Sequence, residues 1–232
     1  MTSVSYESRF RAFAARRESA EGLRRALNLT VAAVGLVVAT PFMALIALAI
    51  KLTSRGPVFY TQTRVGIDRR AEGLPPGNSR RRADCGGKPF RIYKFCTMTP
   101  AARPAERDEV WARPDDPRIT PVGRILRAYR LDELPQLINV LRGDMNVVGP
   151  RPEQPTIFAR LRVEIDRYDE RQRVRPGITG WAQVNHRYDQ SVDDVRRKLA
   201  FDLEYIARQS FLEDLRIMMR TVPVVLGKLG AL

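Results

Sequence analysis

The longest apolar stretch of the chain runs from Ala26 to Ile50, ALNLTVAAVGLVVATPFMALIALAI, without a charged residue. Its length makes it a membrane-helix candidate. A cleaved signal peptide fits less well, because the run is too long and Lys51 follows it without a cleavage site. Both flanks are basic, with Arg24 and Arg25 before and Lys51 and Arg55 after. The preference of positive charge for the cytoplasmic side therefore draws both ends to one face. Thr40-Pro41 interrupts the run, and proline removes a helix hydrogen bond and crowds the preceding turn. At about 1.5 Å per residue, the arm before Pro41 covers about 21 Å and the arm after it about 15 Å. Neither arm alone crosses a hydrocarbon core of about 30 Å. The pattern predicts a re-entrant helix over residues 24–54, broken at Thr40-Pro41; a straight crossing and a buried core helix are the alternatives. Residues 1–23 carry Arg9, Arg11, Arg16 and Arg17 beside Phe10 and Phe13, a composition that suits either an anionic membrane surface or a frayed basic tail.

Residues 55–232 read as one further domain. PVFYTQTRVG and KPFRIYKF are rich in β-formers and predict two strands. The stretch between them has paired prolines, glycines and several arginines, which makes residues 67–88 a basic insertion loop. Thr120-Pro121 is a helix start, an N-cap followed by proline at the first helical position. A second helix is expected to begin at Pro135 and to end at Gly143. Asp132 and Glu133 then fall at the junction, where a helix N-terminus favours negative charge and phosphate alike. GPRP (149–152) and RPGITGW (175–181) read as loops, and helices are expected over Pro155–Arg171 and Ser191–Gln209. The tail FLEDLRIMMRTVPVVLGKLG puts aliphatics on one side and Arg216, Arg220 and Lys228 on another, as in a core or an interfacial helix.

Charge narrows the chemistry. A net charge of +14 and a pI near 10.6 call for anionic partners: nucleic acid, anionic lipid or phosphorylated substrates. Aromatic residues make up 8% of the chain and are not interleaved with the basic clusters, which argues against stacked nucleic acid. His186 is the single histidine, and Cys85 and Cys96 form no CxxC pair. A structural zinc site and a Ser-His-Asp mechanism are thus poorly supported, and catalysis falls to carboxylates, lysines and arginines. Neither a GxxxxGK[ST] loop nor a GxGxxG turn is present. What remains is a basic cluster around an acidic pair: Arg127, Arg130, Asp132 and Glu133, with Arg151 and Arg175 in loops. Arginine forks suit phosphate, and paired carboxylates suit a divalent cation or a nucleophile. Taken alone, LDEL is weak evidence and reads first as a helix-start acidic pair bridged to nearby arginines.

The order of motifs shifts that balance. KLTSRGPVFYTQTRVG, GKPFRIYKF, DPRITPVGRILR, LDELPQLINVLRGDMNVVGPRP and VRPGITGWAQVN together closely resemble the bacterial sugar transferase family, the monotopic polyprenyl-phosphate phosphoglycosyl transferases. The resemblance extends from about Arg24 to Gly227. It implies an α+β fold, mostly helical: a re-entrant membrane helix hairpin, with Thr40-Pro41 as its break, and a catalytic domain with a small antiparallel β-hairpin. It implies a site on the cytoplasmic face of the bacterial inner membrane. It implies that Asp132 attacks the β-phosphorus of a UDP-sugar, releases UMP and passes the sugar phosphate to polyprenyl phosphate. Mg2+ beside Asp132 and Glu133 is implied as the cofactor, with Glu133 assisting metal or proton handling. Arg127 and Arg151 are implied to hold phosphate oxygens, and Arg175 and Lys94 are weaker candidates because either also suits a structural ion pair. UDP-sugar, polyprenyl phosphate and anionic membrane lipid are the expected partners, nucleic acid is not, and monomer and homodimer both stay open. An inactive membrane scaffold for polysaccharide assembly is the competing reading. The chain departs from the family pattern in its longer insertion, in Cys96 where arginine is common, and in His186 where glycine is usual. The sugar and the glycan pathway are not written in the motifs.

Overall fold

The apolar run lies in one long helix, α1 (Ser3–Thr53), with Pro41 inside it. The computed structural model describes residues 3–68, 86–99, 116–185 and 192–227, and the side chains of α1 from Glu21 onward. Most of the basic insertion, Cys85 and His186 lie outside the described residues. Helical backbone continues through Thr40-Pro41, and the Thr40 hydroxyl donates to the Leu36 carbonyl at 2.7 Å. Such back-bonding one turn upstream commonly accompanies a bend. The part from Glu21 to Thr53 is long and apolar enough to cross a membrane.

One face of α1 packs on the rest of the chain from Asn28 to Ile50. Asn28, Ala32, Ala39 and Ile50 are buried, and Gly35 faces Leu137 at contact distance. Steps of three, four and eleven residues keep these positions on one helical stripe. The opposite side exposes Val34, Val37, Val38, Phe42, Leu45, Leu48 and Leu52. The two ends of the stripe join two different cores. Ala32 packs with Val140, Met145, Val148 and Ile217, whereas Ile50, Met43 and Ile46 pack with Phe95, Leu126, Leu131 and Leu134.

The two β-rich segments form the antiparallel pair β1 (Phe59–Val65) and β2 (Pro89–Phe95), in register Tyr60 with Lys94 and Arg64 with Phe90. Helix α2 (Pro121–Ala128) begins where expected, with the Thr120 hydroxyl accepting from Gly123 N at 2.9 Å. Gly123 is needed there because a Cβ would stand 2.1 Å from the Thr97 carbonyl oxygen. A 3-10 turn at Leu131–Glu133 leads to α3 (Gln136–Arg142), which ends at Gly143 in the left-handed region, φ 80°. Its buried Asn139 donates to the Arg91 carbonyl and accepts from Tyr93 N, tying α3 to β2.

Two features depart from the sequence expectations. The helix expected over 155–171 stops early: α4 is Pro155–Glu164, Ile165 turns extended, and Arg167 is left-handed at φ 61° before a 3-10 segment Tyr168–Arg173. Past the turn, Ile165 and Tyr168 pack in the core with Phe158 and Leu161. A second sheet also forms: β3 (Asn146–Val148), just before the GPRP loop, pairs in parallel with β4 (Gly177–Thr179), inside the segment expected as the RPGITGW loop. Gly149, Gly177 and Gly180 sit where these backbones touch. A Cβ on Gly177 would lie 2.1 Å from Gly149 N, and one on Gly180 would lie 2.3 Å from the Gly149 carbonyl oxygen. Helices α5 (Trp181–Asn185), α6 (Val192–Arg208) and α7 (Phe211–Leu226) complete the chain.

Candidate active site

The acidic pair lies on the 3-10 turn between α2 and α3, entered through Arg130 in the left-handed region, φ 57°. Leu131 and Leu134, on either side of it, pack against the second arm of α1, so the turn is seated on the long apolar helix itself. Asp132 is 7% and Glu133 5% exposed.

The two carboxylates have different surroundings. Glu133 Oε1 accepts from Lys94 Nζ at 2.8 Å and from the Arg151 fork at 2.7 Å, while Oε2 faces the other Arg151 nitrogen at 3.4 Å. Arg130 stands 3.9 Å from the same carboxylate. Lys94 shares the inward face of β2 with Phe90 and Ile92 by its period-two spacing, which is why a strand lysine reaches into the domain. Among the described residues, no side chain donates to Asp132. Burial pushes the Asp132 carboxyl up from the ordinary carboxylate range; the Lys94 charge opposes this and the Glu133 charge adds to it. For Glu133, burial alone would act upward, but Arg151 and Lys94 outweigh it and hold the carboxyl well below its usual range. Burial lowers the Lys94 ammonium, with Glu133 resisting. Two adjacent acids are thereby pushed apart: Glu133 is a fixed anion and Asp132 keeps its lone pairs uncommitted.

Arg151 is held from behind. The Arg171 guanidinium donates to the Arg151 carbonyl at 3.0 Å, to Tyr168 Oη at 2.6 Å and to Asp202 at 2.7 Å. Arg64 donates to the Pro152 carbonyl at 3.2 Å, and Val65 N to the Glu153 carbonyl at 2.9 Å. Gly177 N donates to the Pro150 carbonyl at 2.9 Å. Every carbonyl from Pro150 to Glu153 is thus occupied, and GPRP behaves as a clamped strap. Burial would raise the Glu153 carboxyl, but Lys198, Arg171 and Arg64 outweigh it and bring it to about 2.

The structure brings together Asp132, Glu133, Lys94 and Arg151 from the sequence candidates. Arg127 points from the end of α2 to the Thr97 hydroxyl at 3.0 Å and to Met98, close enough to Asp132 to lower its pKa. Arg175 sits elsewhere, 3.7 Å from Glu21 at the start of the described side chains of α1. Arg64, Glu153, Arg171, Lys198 and Asp202 were not singled out by sequence. A signal was present: Lys198 and Asp202 occupy the buried face of α6 with Val195, Leu199 and Tyr205, and charges at core positions demand partners. No cluster of three or more metal-binding side chains occurs among the described residues. The chemistry on offer is a free buried carboxylate beside four cations (Lys94, Arg127, Arg130, Arg151), a setting that attracts a phosphorylated electrophile.

The sequence is similar to known proteins over most of its length. The family model described as bacterial sugar transferase matches residues 19–228. The UDP-N-acetylgalactosamine-undecaprenyl-phosphate N-acetylgalactosaminephosphotransferase of Aeromonas hydrophila is 38% identical over 90% of this chain and 45% of its own length. The UDP-glucose:undecaprenyl-phosphate glucose-1-phosphate transferase of Escherichia coli is 40% identical over 86% of this chain and 39% of its length. The Caulobacter vibrioides protein of the same name is 41% identical over 88% of this chain and 69% of its length. The chain therefore spans less than half the length of the first two relatives. With the family model covering nearly all of it and the dyad, strap and apolar helix in place, the chain belongs to the bacterial sugar transferase family.

Proposed function

We propose that this protein transfers a sugar 1-phosphate from a UDP-sugar to polyprenyl phosphate through Asp132. The observation that carries the reading is the contrast within the dyad: Glu133 is tied by Lys94 and Arg151, while Asp132 is buried among cations with an uncommitted carboxylate. An Asp132 oxygen attacks the β-phosphorus, the bond from that phosphorus to the bridging oxygen breaks, and UMP leaves. The resulting phosphosugar-aspartate is an acyl phosphate. An oxygen of polyprenyl phosphate then attacks the same phosphorus, the phosphorus–aspartate bond breaks, and a polyprenyl diphosphosugar departs with Asp132 restored. Lys94, Arg127 and Arg151 supply positive charge where the phosphoryl oxygens gather it.

Mg2+ fits this donor set in one way only. It takes one or two carboxylates and completes its shell with substrate phosphate and water. Asp132 has the free lone pairs for it, whereas both Glu133 oxygens are already engaged. Bound there, the ion would reduce the charge repulsion between the Asp132 carboxylate and the diphosphate. Glu133 acts as the fixed anion that orients Lys94 and Arg151.

Membrane attachment follows from α1. From Asn28 to Ile50 the packed stripe covers about 33 Å of helix at 1.5 Å per residue, close to a full hydrocarbon thickness. A straight crossing would draw the dyad turn and its ion pairs into lipid, where buried charge is costly. Entry and exit on one side, bent at Thr40-Pro41, leaves the domain on the cytoplasmic surface with Arg24, Arg25 and Lys51 near anionic lipid. The test is UMP release from a panel of UDP-sugars, with membranes containing the full chain, undecaprenyl phosphate and Mg2+. Release with one donor, abolished by Asp132→Asn, is expected. Turnover retained by a folded Asp132→Asn protein would rule out the covalent route.

A further inference from the structure

Helix α7 presents three faces. Asp214 and Ile217 are buried, and Asp214 accepts from Arg24 at 2.8 Å, which fixes α7 beside the start of the apolar run of α1. Leu212, Leu215, Met219, Val222 and Leu226 recur at steps of three and four and are all between 40% and 73% exposed. Along one edge of this stripe, Arg216 and Arg220 lie over the Trp181 indole, their guanidinium carbons 5.8 and 5.0 Å from the ring centroid. Arg208 of α6 joins them at 6.0 Å.

The cluster is cationic on balance. Trp181 Nε1 donates to Glu204 at 2.7 Å, Arg208 pairs with the same carboxylate, and Arg216 stands 3.6 Å from Glu213. Arg220 has no carboxylate partner among the described residues. An aligned apolar stripe calls for a nonpolar occupant, and guanidiniums along its edge call for an anion. A membrane surface carrying acidic phospholipid supplies both in the same geometry. Leu23 of α1, the residue before Arg24 of the Arg24–Asp214 tie, is also exposed and adds apolar surface near this end of α7.

We propose that α7 docks on the membrane beside the first arm of α1, and that Arg216 and Arg220, stacked on Trp181, bind the phosphate of an anionic phospholipid. The proposal rests on the membrane attachment of α1 given above. Aromatic stacking holds both forks in place and leaves their outer N–H donors for phosphate oxygens.

The chain has two tryptophans, so Trp111→Phe leaves Trp181 as the only indole emitter. The full-length variant is reconstituted in vesicles of equal phosphatidylglycerol and phosphatidylcholine, with brominated acyl chains on one lipid or the other. Bromine on phosphatidylglycerol should quench Trp181 about twice as strongly as the same amount on phosphatidylcholine. Arg216→Gln with Arg220→Gln should make the two equal, and Leu212→Ser with Met219→Ser should weaken both. Equal quenching in the parent overturns the lipid-phosphate site. Absence of quenching from protein that floats with the vesicles overturns the docking of α7, as does efficient Met219→Cys cross-linking between two chains. Protein that fails to float points instead to the attachment of α1. UMP release on the same vesicles reports separately on the transferase reading.

Discussion

Asp132 and Glu133 are neighbours of the same chemical type, and their partners make them unlike. In the proposed reaction Asp132 must be ionised to attack phosphorus, and its pKa is raised by burial against the opposing charge of Lys94. Activity is therefore lost as pH falls through a midpoint above that of an ordinary aspartate. Removing the opposing charge with Lys94→Met should move this acid limb of kcat/KM to higher pH; an unmoved midpoint would mean that Lys94 does not act on Asp132. Glu133 has the opposite sign. Its depressed pKa contributes stability that is present above the unfolded value and is lost as pH falls through the folded one. Glu133→Gln leaves Lys94 and Arg151 as uncompensated charges and should cost about 3 kcal/mol in denaturant unfolding. The cast of this site was legible in the sequence, because Lys94, Asp132, Glu133 and Arg151 all stand in the motifs. Which carboxylate is tied was not legible. That depends on the β2 register bringing in Lys94 and on the GPRP strap returning from 18 residues away. Arg175 shows the converse, an arginine in an equally promising loop that folds toward Glu21.

Among the elements, the strap from Gly149 to Glu153 sets how accurately Arg151 meets Glu133. It is held by backbone bonds to β1 and β4, by the Arg64 and Arg171 forks, and by glycines that let two backbones meet. Gly149→Ala would place its Cβ 2.4 Å from the Arg175 carbonyl oxygen. Overpacking of this kind should cost about 3 kcal/mol in thermal or denaturant unfolding, and turnover should fall in the protein that stays folded. An unchanged melting midpoint would mean that the strap has slack. The hairpin, α2, α3 and α6 were readable from alternation, caps and helical spacing. β3 and β4 were not, because three-residue strands beside or within proline-glycine stretches show no period. The early end of α4 was hidden too, since a buried Ile165 in extended backbone leaves no mark in a helix-forming sequence.

At the scale of the molecule, α1 is both the long apolar helix and a wall of the domain. If both of its ends lie on the cytoplasmic side, an impermeant maleimide should label Ser19→Cys and Ser54→Cys alike in inverted vesicles, on a background lacking Cys85 and Cys96. A straight crossing would leave one of them protected. The stripe from Asn28 to Ile50 has a practical consequence for anyone wishing to work with this protein in simple buffer. Trimming away a greasy N-terminal segment is the customary remedy for a protein that needs detergent. Here it would strip Ala32 and Gly35 from above α3, unseat Leu131 and Leu134 on either side of the Asp132 turn, and leave Asp214 without Arg24. The shortened chain should be recovered, if at all, as an aggregate without transferase activity, and solubility would have to come from altering the outward side chains of the helix while its inward ones are kept.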